Sequence, residues 1–117
     1  MASAKAIVYA ALKTLAGGRV YPSVAPAGTA RPYIVYQGVG GEDETTLDGP
    51  DSLQNRRVQV VVWSTTAAEA DSINQQVRAA LGGGPVNGVP IGAPVDDYED
   101  DTKLYGTRQD FSIWYQE

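Results

Sequence analysis

The sequence predicts an α+β fold, in which an antiparallel or mixed sheet of about four strands carries two helices packed on one side. Apolar residues alternate at period two in segments 54–65 and 103–116, which indicates strands. They recur at helical spacing in segments 3–15 and 66–81. The predicted order is helix, strand, strand, helix, strand, strand. The chain has 117 residues, so we expect residues 1–117 to form a single domain.

The segment from Gln54 to Leu81 changes from strand to helix. Three alternate valines lie on one face of the predicted strand. Thr66 and Glu69 then form a capping-box pattern, in which the threonine hydroxyl accepts from the Glu69 amide and the glutamate reaches back to the cap amide. A Gly-Gly-Gly-Pro run ends the helix. Its apolar stripe is Ala70, Ile73, Val77, Ala80 and Leu81, and its outward residues are Asp71, Asn74, Gln75 and Arg78.

The first half of the chain adds one helix and one strand. Ser3 is placed to cap a helix that ends before Gly17 and Gly18. Segment 19–32 contains three prolines and is predicted to be an irregular connection, whose Val20, Tyr21 and Val24 pack on the core. Segment 33–39 is apolar on both faces, which favours a strand covered on both sides.

The remaining segments complete the sheet. Segment 40–53 is rich in glycine and acids and is predicted to be a long loop between two antiparallel strands. Pro90 restricts any strand in segment 86–91 to a short or edge strand. Segment 103–116 alternates most regularly and predicts a strand whose last half is buried on one face, at Phe111, Ile113 and Tyr115.

Composition excludes several kinds of catalytic site. The chain has no cysteine and no histidine, so it lacks disulfides, thiol nucleophiles, histidine-based triads and the usual zinc sites. No catalytic residue, cofactor or metal site is predicted, and the chain is not expected to be an enzyme. The formal net charge is −5, which disfavours nucleic-acid binding through phosphate contacts. No stretch approaches the ~20 apolar residues that would cross a membrane.

Ten of the fourteen acidic residues lie in two windows that we interpret as loops. Closely spaced carboxylates suit calcium, but neither window has the EF-hand pattern, and charge runs of this kind are usually solvated. The windows supply candidates for an interface or a lumen. These are Glu42, Asp43, Glu44 and Asp48 in the first window, and Asp96, Asp97, Glu99, Asp100 and Asp101 in the second.

Two tryptophans are candidates for an interface. Trp63 lies on the opposite face of its strand from the three valines, and Trp114 lies opposite Phe111 and Ile113. Together with Val61, exposed rings would form a larger apolar patch than monomers usually have. Two interpretations remain open: a second layer covers this face, or the face is a subunit interface.

The whole chain resembles the tail-completion, or tail-terminator, proteins of long-tailed bacteriophages and prophages. The similarity rests on three segments and on their order and spacing. They are Gly18-Arg19-Val20-Tyr21-Pro22 leading into Arg31-Pro32-Tyr33-Ile34-Val35-Tyr36-Gln37, then Leu47-Asp48-Gly49-Pro50 with the strand up to Trp63, and Asp110-Phe111-Ser112-Ile113-Trp114-Tyr115.

This resemblance implies a structural, non-enzymatic virion protein. It would form a homo-oligomeric ring, usually a hexamer, at the head-proximal end of the tail tube, terminate tail polymerisation and provide the head-tail joining surface. Its partners would be itself, the tail tube protein and the head-tail connector protein, without sequence-specific nucleic acid or membrane. It would assemble in the bacterial cytoplasm and remain in the tail. The alternative is a small cation- or ligand-binding domain, with the acidic loop 40–53 as a lid.

Overall fold

A computed structural model describes residues 3–41 and 53–116. In this part of the chain, two helices, a short 3-10 helix and five strands follow one another. The helices are α1 (Ala4–Leu12) and α2 (Ala67–Gly82), and the 3-10 turn is Leu15–Gly18. The strands are β1 (Val20–Pro22), β2 (Tyr33–Gly38), β3 (Leu53–Ser64), β4 (Val89–Glu99) and β5 (Leu104–Gln116).

The strands form one mixed sheet in the order β1-β2-β3-β5-β4. The pair β1–β2 is parallel and the other three pairs are antiparallel. The α+β prediction is confirmed, with one strand more than expected. The additional strand is β1, which lies in the segment that was predicted to be irregular. Three residues that end in Pro22 are too few to show a period-two pattern.

Both helices pack on the same face of the sheet, as predicted. The core contains Ala4, Val8 and Leu12 of α1 and the buried apolar stripe of α2. Against them lie the inward residues of β1, β2, β3 and β5. These are Val20, Ile34, Tyr36, Val58, Val60, Val62, Phe111 and Ile113.

The α2 cap differs from the predicted capping box in one contact. The Thr66 hydroxyl accepts from the Glu69 amide at 3.2 Å, as expected. The Glu69 carboxylate, however, accepts from the hydroxyl of Ser64. The Ser64 hydroxyl in turn accepts from the Thr66 amide at 3.3 Å. A buried serine at the end of β3 therefore connects the two halves of the cap.

The burial of two side chains is the reverse of the prediction. Asn74 was predicted to face outward, but it is fully buried, and its amide has no hydrogen-bond partner. It follows Ile73 by one position and precedes Val77 by three, so it lies inside the arc of α2 that faces the sheet. Val24 was predicted to pack on the core, yet 75% of it is exposed. It lies two residues after the end of β1 at Pro22 and is outside the sheet.

The second acidic window is a strand and a turn, whereas a loop was predicted. Asp96, Asp97 and Glu99 belong to β4 and pair with β5 opposite Thr107, Gly106 and Leu104. Only Asp100 and Asp101 lie in the turn. Because β4 is an edge strand, its charged side chains remain in water and do not prevent pairing. Of the two options predicted for this segment, a short strand or an edge strand, β4 takes the edge position, and it is long because it continues past a bulge between Ile91 and Val95.

Among the described helices, none is both long and apolar enough to cross a bilayer.

Candidate interface site

The face of the sheet opposite the helices is the first candidate interface, and we call it the open face. Paired residues of neighbouring strands point to the same side, so the register assigns its members. Tyr33 pairs with Trp63, and Val35 pairs with Val61. All four are partly exposed, and no helix of the described chain packs over them. The residues of the open face discussed below are Tyr33, Val35, Gln37, Arg57, Gln59, Val61, Trp63, Gly106, Arg108, Asp110, Trp114 and Asp97.

Trp63 lies on the open face as predicted, and it is half-buried because of its partner across the strands. It pairs with Gly106 of β5. A Cβ atom on Gly106 would lie only 2.8 Å from Cζ3 of the Trp63 ring. The ring therefore lies over the bare backbone of the glycine. Among the described residues this contact, and no second layer, shields the ring, an arrangement that neither of the two sequence-based interpretations included.

Tyr33, which pairs with Trp63, lies near one negative and one positive side chain, those of Glu99 and Arg31. Burial raises the pKa of the Tyr33 hydroxyl above its usual value of 10.0, and the negative charge of Glu99 raises it further. The positive charge of Arg31 lowers the pKa, but by less. The phenol is therefore neutral at physiological pH and can serve as a hydrogen-bond donor at an interface.

Trp114 lies near the other end of the open face. It pairs with Asn55 of β3, and 41% of its surface is exposed. An exposed indole supplies a large apolar area and one N–H donor, which is the chemistry that protein interfaces favour. Trp114 is separated from Trp63 along the strands, since Trp63 pairs with Gly106 eight residues earlier in β5. The two tryptophans therefore do not form one patch.

Polar side chains cover the open face between the tryptophans. Nε of Arg57 donates to Asp110 Oδ2 at 2.7 Å. Nε of Arg108 lies 3.6 Å from Asp97 Oδ2. Both arginines are about half exposed, so solvent weakens these pairs and they contribute little stability. Sequence reasoning missed both pairs, because the partners become neighbours only through the β3–β5 and β4–β5 registers.

The second candidate surface is the edge of the sheet at β4, and we call its five acids the acidic edge. They are Asp96, Asp97, Glu99, Asp100 and Asp101, as predicted from the second window. Tyr98 stands among them with 51% of its surface exposed. Its ring contacts that of Tyr105 in a tilted arrangement, with a centroid distance of 5.0 Å and an interplanar angle of 55°. Sequence reasoning did not select Tyr98, although its place inside the acidic window was visible.

The first acidic window, with Glu42, Asp43, Glu44 and Asp48, lies outside the described residues, as does most of the predicted lid 40–53. Within residues 3–41 and 53–116, no three Asp, Glu, His or Cys side chains lie close enough together to hold a metal ion. The cation-binding alternative therefore remains a prediction about the first window.

An apolar groove of about 420 Å³ lies between the two helices. Ile7, Ala10 and Ala11 of α1 form one wall, and Ala80 with residues 84–86 forms the other. Its lining has no titratable side chain. The groove therefore presents apolar surface but no side chain that could act as an acid, a base or a metal ligand.

Comparisons with known proteins agree with the fold. Residues 4–116 match the family model described as tail completion protein gp17. A chain of the virion of a native gene transfer agent (GTA) particle has a similar structure, with a TM-score of 0.63 and 17% identity. The similarity covers 97% of this chain and 87% of that one. No curated protein matches the sequence. Since the family model spans nearly the whole chain, the protein belongs to the tail completion protein gp17 family and is a structural component of a phage tail.

Proposed function

We propose that this protein forms a homo-oligomeric ring at the head-proximal end of the phage tail tube. There it terminates tail polymerisation and provides the surface that joins tail to head. The observation that carries the proposal is the match of residues 4–116 to a tail completion family. The fold shared with a chain of a gene transfer agent virion supports it. We expect a hexamer that assembles in the bacterial cytoplasm, remains in the virion and has no catalytic activity.

The open face is the surface that we assign to contact with the tail tube protein or the head-tail connector protein. Val61, Trp63 and Trp114 supply its apolar part. Trp63 is fixed over Gly106, so little conformational entropy is lost when a partner covers it. Aromatic side chains held in this way are typical of the residues that dominate binding free energy.

The acidic windows suit the inside of such a ring. We propose that one or both of these windows, the first of which includes Glu42, Asp43, Glu44 and Asp48, face the lumen or one of the open ends of the ring. A negative lumen would repel the phosphates of DNA that passes through it. A structure of the assembled ring with both acidic windows on the outer wall would exclude this arrangement.

Tail tubes polymerised in vitro from the purified tube protein test the proposed function. We expect added protein to bind one end of each tube in electron micrographs and to stop further elongation at that end. Trp114→Ala should fold normally and bind tube ends more weakly. Tyr9→Ala, which removes an aromatic ring of similar exposure from α1, is the matched control and should bind as the wild type does. Continued elongation at both ends with excess wild-type protein would contradict the proposal.

A further inference from the structure

Part of the charge of this chain is divided between the two sides of the sheet. Residues 1–41, which supply α1, β1 and β2, contain four basic residues and no acid. The acidic edge lies on β4 and the turn that follows it. In the strand order β1-β2-β3-β5-β4, β1 and β4 are the two edge strands. One edge of the sheet is therefore positive and the opposite edge is negative.

The positive side, which we call the basic edge, consists of Arg19, which directly precedes the edge strand β1, together with Lys13 at the end of α1 and Arg31 just before β2. Lys13 and Arg31 are exposed, and Arg19 is partly exposed. Nε of Arg19 donates to the carbonyl of Pro32 at 2.8 Å, which holds the guanidinium beside Arg31. The ion pairs among the described residues are Arg57–Asp110 and Arg108–Asp97. No acid in the described part of the chain therefore neutralises the basic edge.

The two edges carry their charges at the same level of the sheet. The carbonyl of Arg19 accepts from the Ile34 amide at 2.8 Å, so Arg19 lies beside Tyr33. Tyr33 pairs with Trp63, Trp63 with Gly106, and Gly106 with Asp97. This row crosses four strand spacings, or about 19 Å, from the basic edge to the acidic edge.

From this arrangement we infer that neighbouring subunits contact one another edge to edge, with the acidic edge of one copy against the basic edge of the next. The inference rests on the ring proposed above and specifies its interface. The two surfaces differ, so the contact is heterologous, and such contacts close into rings when a pure rotation relates the subunits. Because the charges of the two edges lie at the same level, they can meet in neighbouring subunits that are related by a rotation without a shift along the strands.

The contact is made by side chains and does not continue the sheet. Pro90 and Pro94 remove two backbone donors from β4, and a bulge separates Ile91 from Val95. On the other side, β1 has only three residues. Exposed apolar side chains accompany the charges at both edges. They are Val95 and Tyr98 on β4 and Val24 after β1, with exposures of 46%, 51% and 75%.

Charge complementarity sets the orientation and the partner more than the affinity. Single exposed ion pairs contribute little, but like charges placed opposite one another repel strongly. Reversing the charge of one edge should therefore weaken association far more than neutralising one residue.

Charge exchange tests the contact. One variant carries Asp100→Lys and Asp101→Lys, a second carries Lys13→Glu and Arg31→Glu, and a third carries all four changes. Asp71→Lys, on the exposed side of α2, is the control. We expect each two-site variant to fold and to associate at least about tenfold more weakly. The four-site variant and an equimolar mixture of the two-site variants should regain association, because opposite charges face one another again. Association of the two-site variants at wild-type strength, or no recovery in the four-site variant, would overturn the inference.

Cross-linking gives a second readout that does not require a stable ring. The natural chain has no cysteine, so Arg31→Cys and Asp100→Cys can be introduced together without competing thiols. Arg31 precedes β2 and Asp100 follows β4, so within one chain these sites lie three strand spacings, or about 14 Å, apart, beyond the ~7 Å that a disulfide spans. Oxidation should give a ladder of oligomers in the double variant and dimers at most in each single variant. Absence of a ladder would exclude the edge contact even if the protein still capped tail tubes, whereas failure to cap tubes would count against the proposed function alone.

Discussion

At the residue scale, Trp63 and Asn74 show how a single position departs from its surroundings. Trp63 is half-buried on a face without a second layer among the described residues, because its ring lies on Gly106. Asn74 has the opposite property. It lies in the apolar layer between α2 and the sheet, and neither atom of its amide finds a hydrogen-bond partner. Trp63 gains packing from a bare glycine backbone, and Asn74 loses hydration without compensation.

Gly106→Ala tests the packing of Trp63. The new Cβ would overlap the ring at 2.8 Å, so the ring must shift toward solvent, with a loss of about 1–2 kcal/mol in the free energy of unfolding. In a Trp114→Phe background, Trp63 is the only tryptophan, since the chain has two, and its fluorescence should shift to longer wavelength. Gly82→Ala, whose Cβ meets nothing closer than 4.0 Å, should change neither property. An unchanged spectrum and melting temperature in Gly106→Ala would refute the contact.

Asn74→Leu should stabilise the protein. A buried polar group without a partner costs about 1–3 kcal/mol, and an apolar side chain of the same branching removes that cost. We expect a gain of about 1–2 kcal/mol in chemical denaturation. Gln75→Leu, one position along on the exposed side of α2, should have little effect. A clear loss of stability in Asn74→Leu would mean that the amide has partners in solution.

At the element scale, the sequence predicted those elements whose pattern and end signals agree. The Thr66 cap and the glycine run marked the two ends of α2, and the alternation of apolar residues identified β3 and β5. Such patterns did not predict the other two elements, β1 and most of β4. β1 is too short to have a pattern, and it exists because β2 offers it a parallel partner. β4 contains prolines, a bulge and acids, each of which disfavours a strand locally, and it forms because β5 provides a long antiparallel template.

The candidate site was predictable to a similar extent. Period-two alternation was enough to place Val61, Trp63 and Trp114 on the face opposite the core. The ion pairs Arg57–Asp110 and Arg108–Asp97 were not predictable, because they depend on strand order and register. The outward prediction for Asn74 is wrong, because at the border of the α2 stripe the polarity of a side chain does not determine its exposure.

Val60→Asp tests the central β3–α2 unit. Val60 is fully buried in the same core cluster as Ile73 and Val77, so an aspartate there would leave an unpaired charge away from water. We expect the variant to lose its cooperative thermal unfolding transition in circular dichroism. Val61→Asp introduces the same charge one residue later, on the partly exposed open face, and should remain folded. A wild-type melting temperature for Val60→Asp would contradict the assignment of this face to the core.

At the scale of the whole molecule, three surfaces with different chemistry surround one core. The open face carries tryptophans and half-exposed ion pairs, and the two edges of the sheet carry opposite charges. This division suits a subunit that must contact neighbours on two sides and other proteins on a third. Family membership identifies the assembly as a phage tail, and opposite charges on the two sides of the sheet are what the proposed ring contact requires.

The solution mass of the wild-type protein, measured by light scattering on a sizing column at several concentrations and two salt concentrations, tests the ring most directly. From subunits of 12.4 kDa, a hexamer would have a mass of about 74 kDa. We predict a mass that approaches this value as concentration rises and a weaker association at high salt, where charges are screened. A strict monomer at every concentration, both alone and with tail tubes present, would contradict the account.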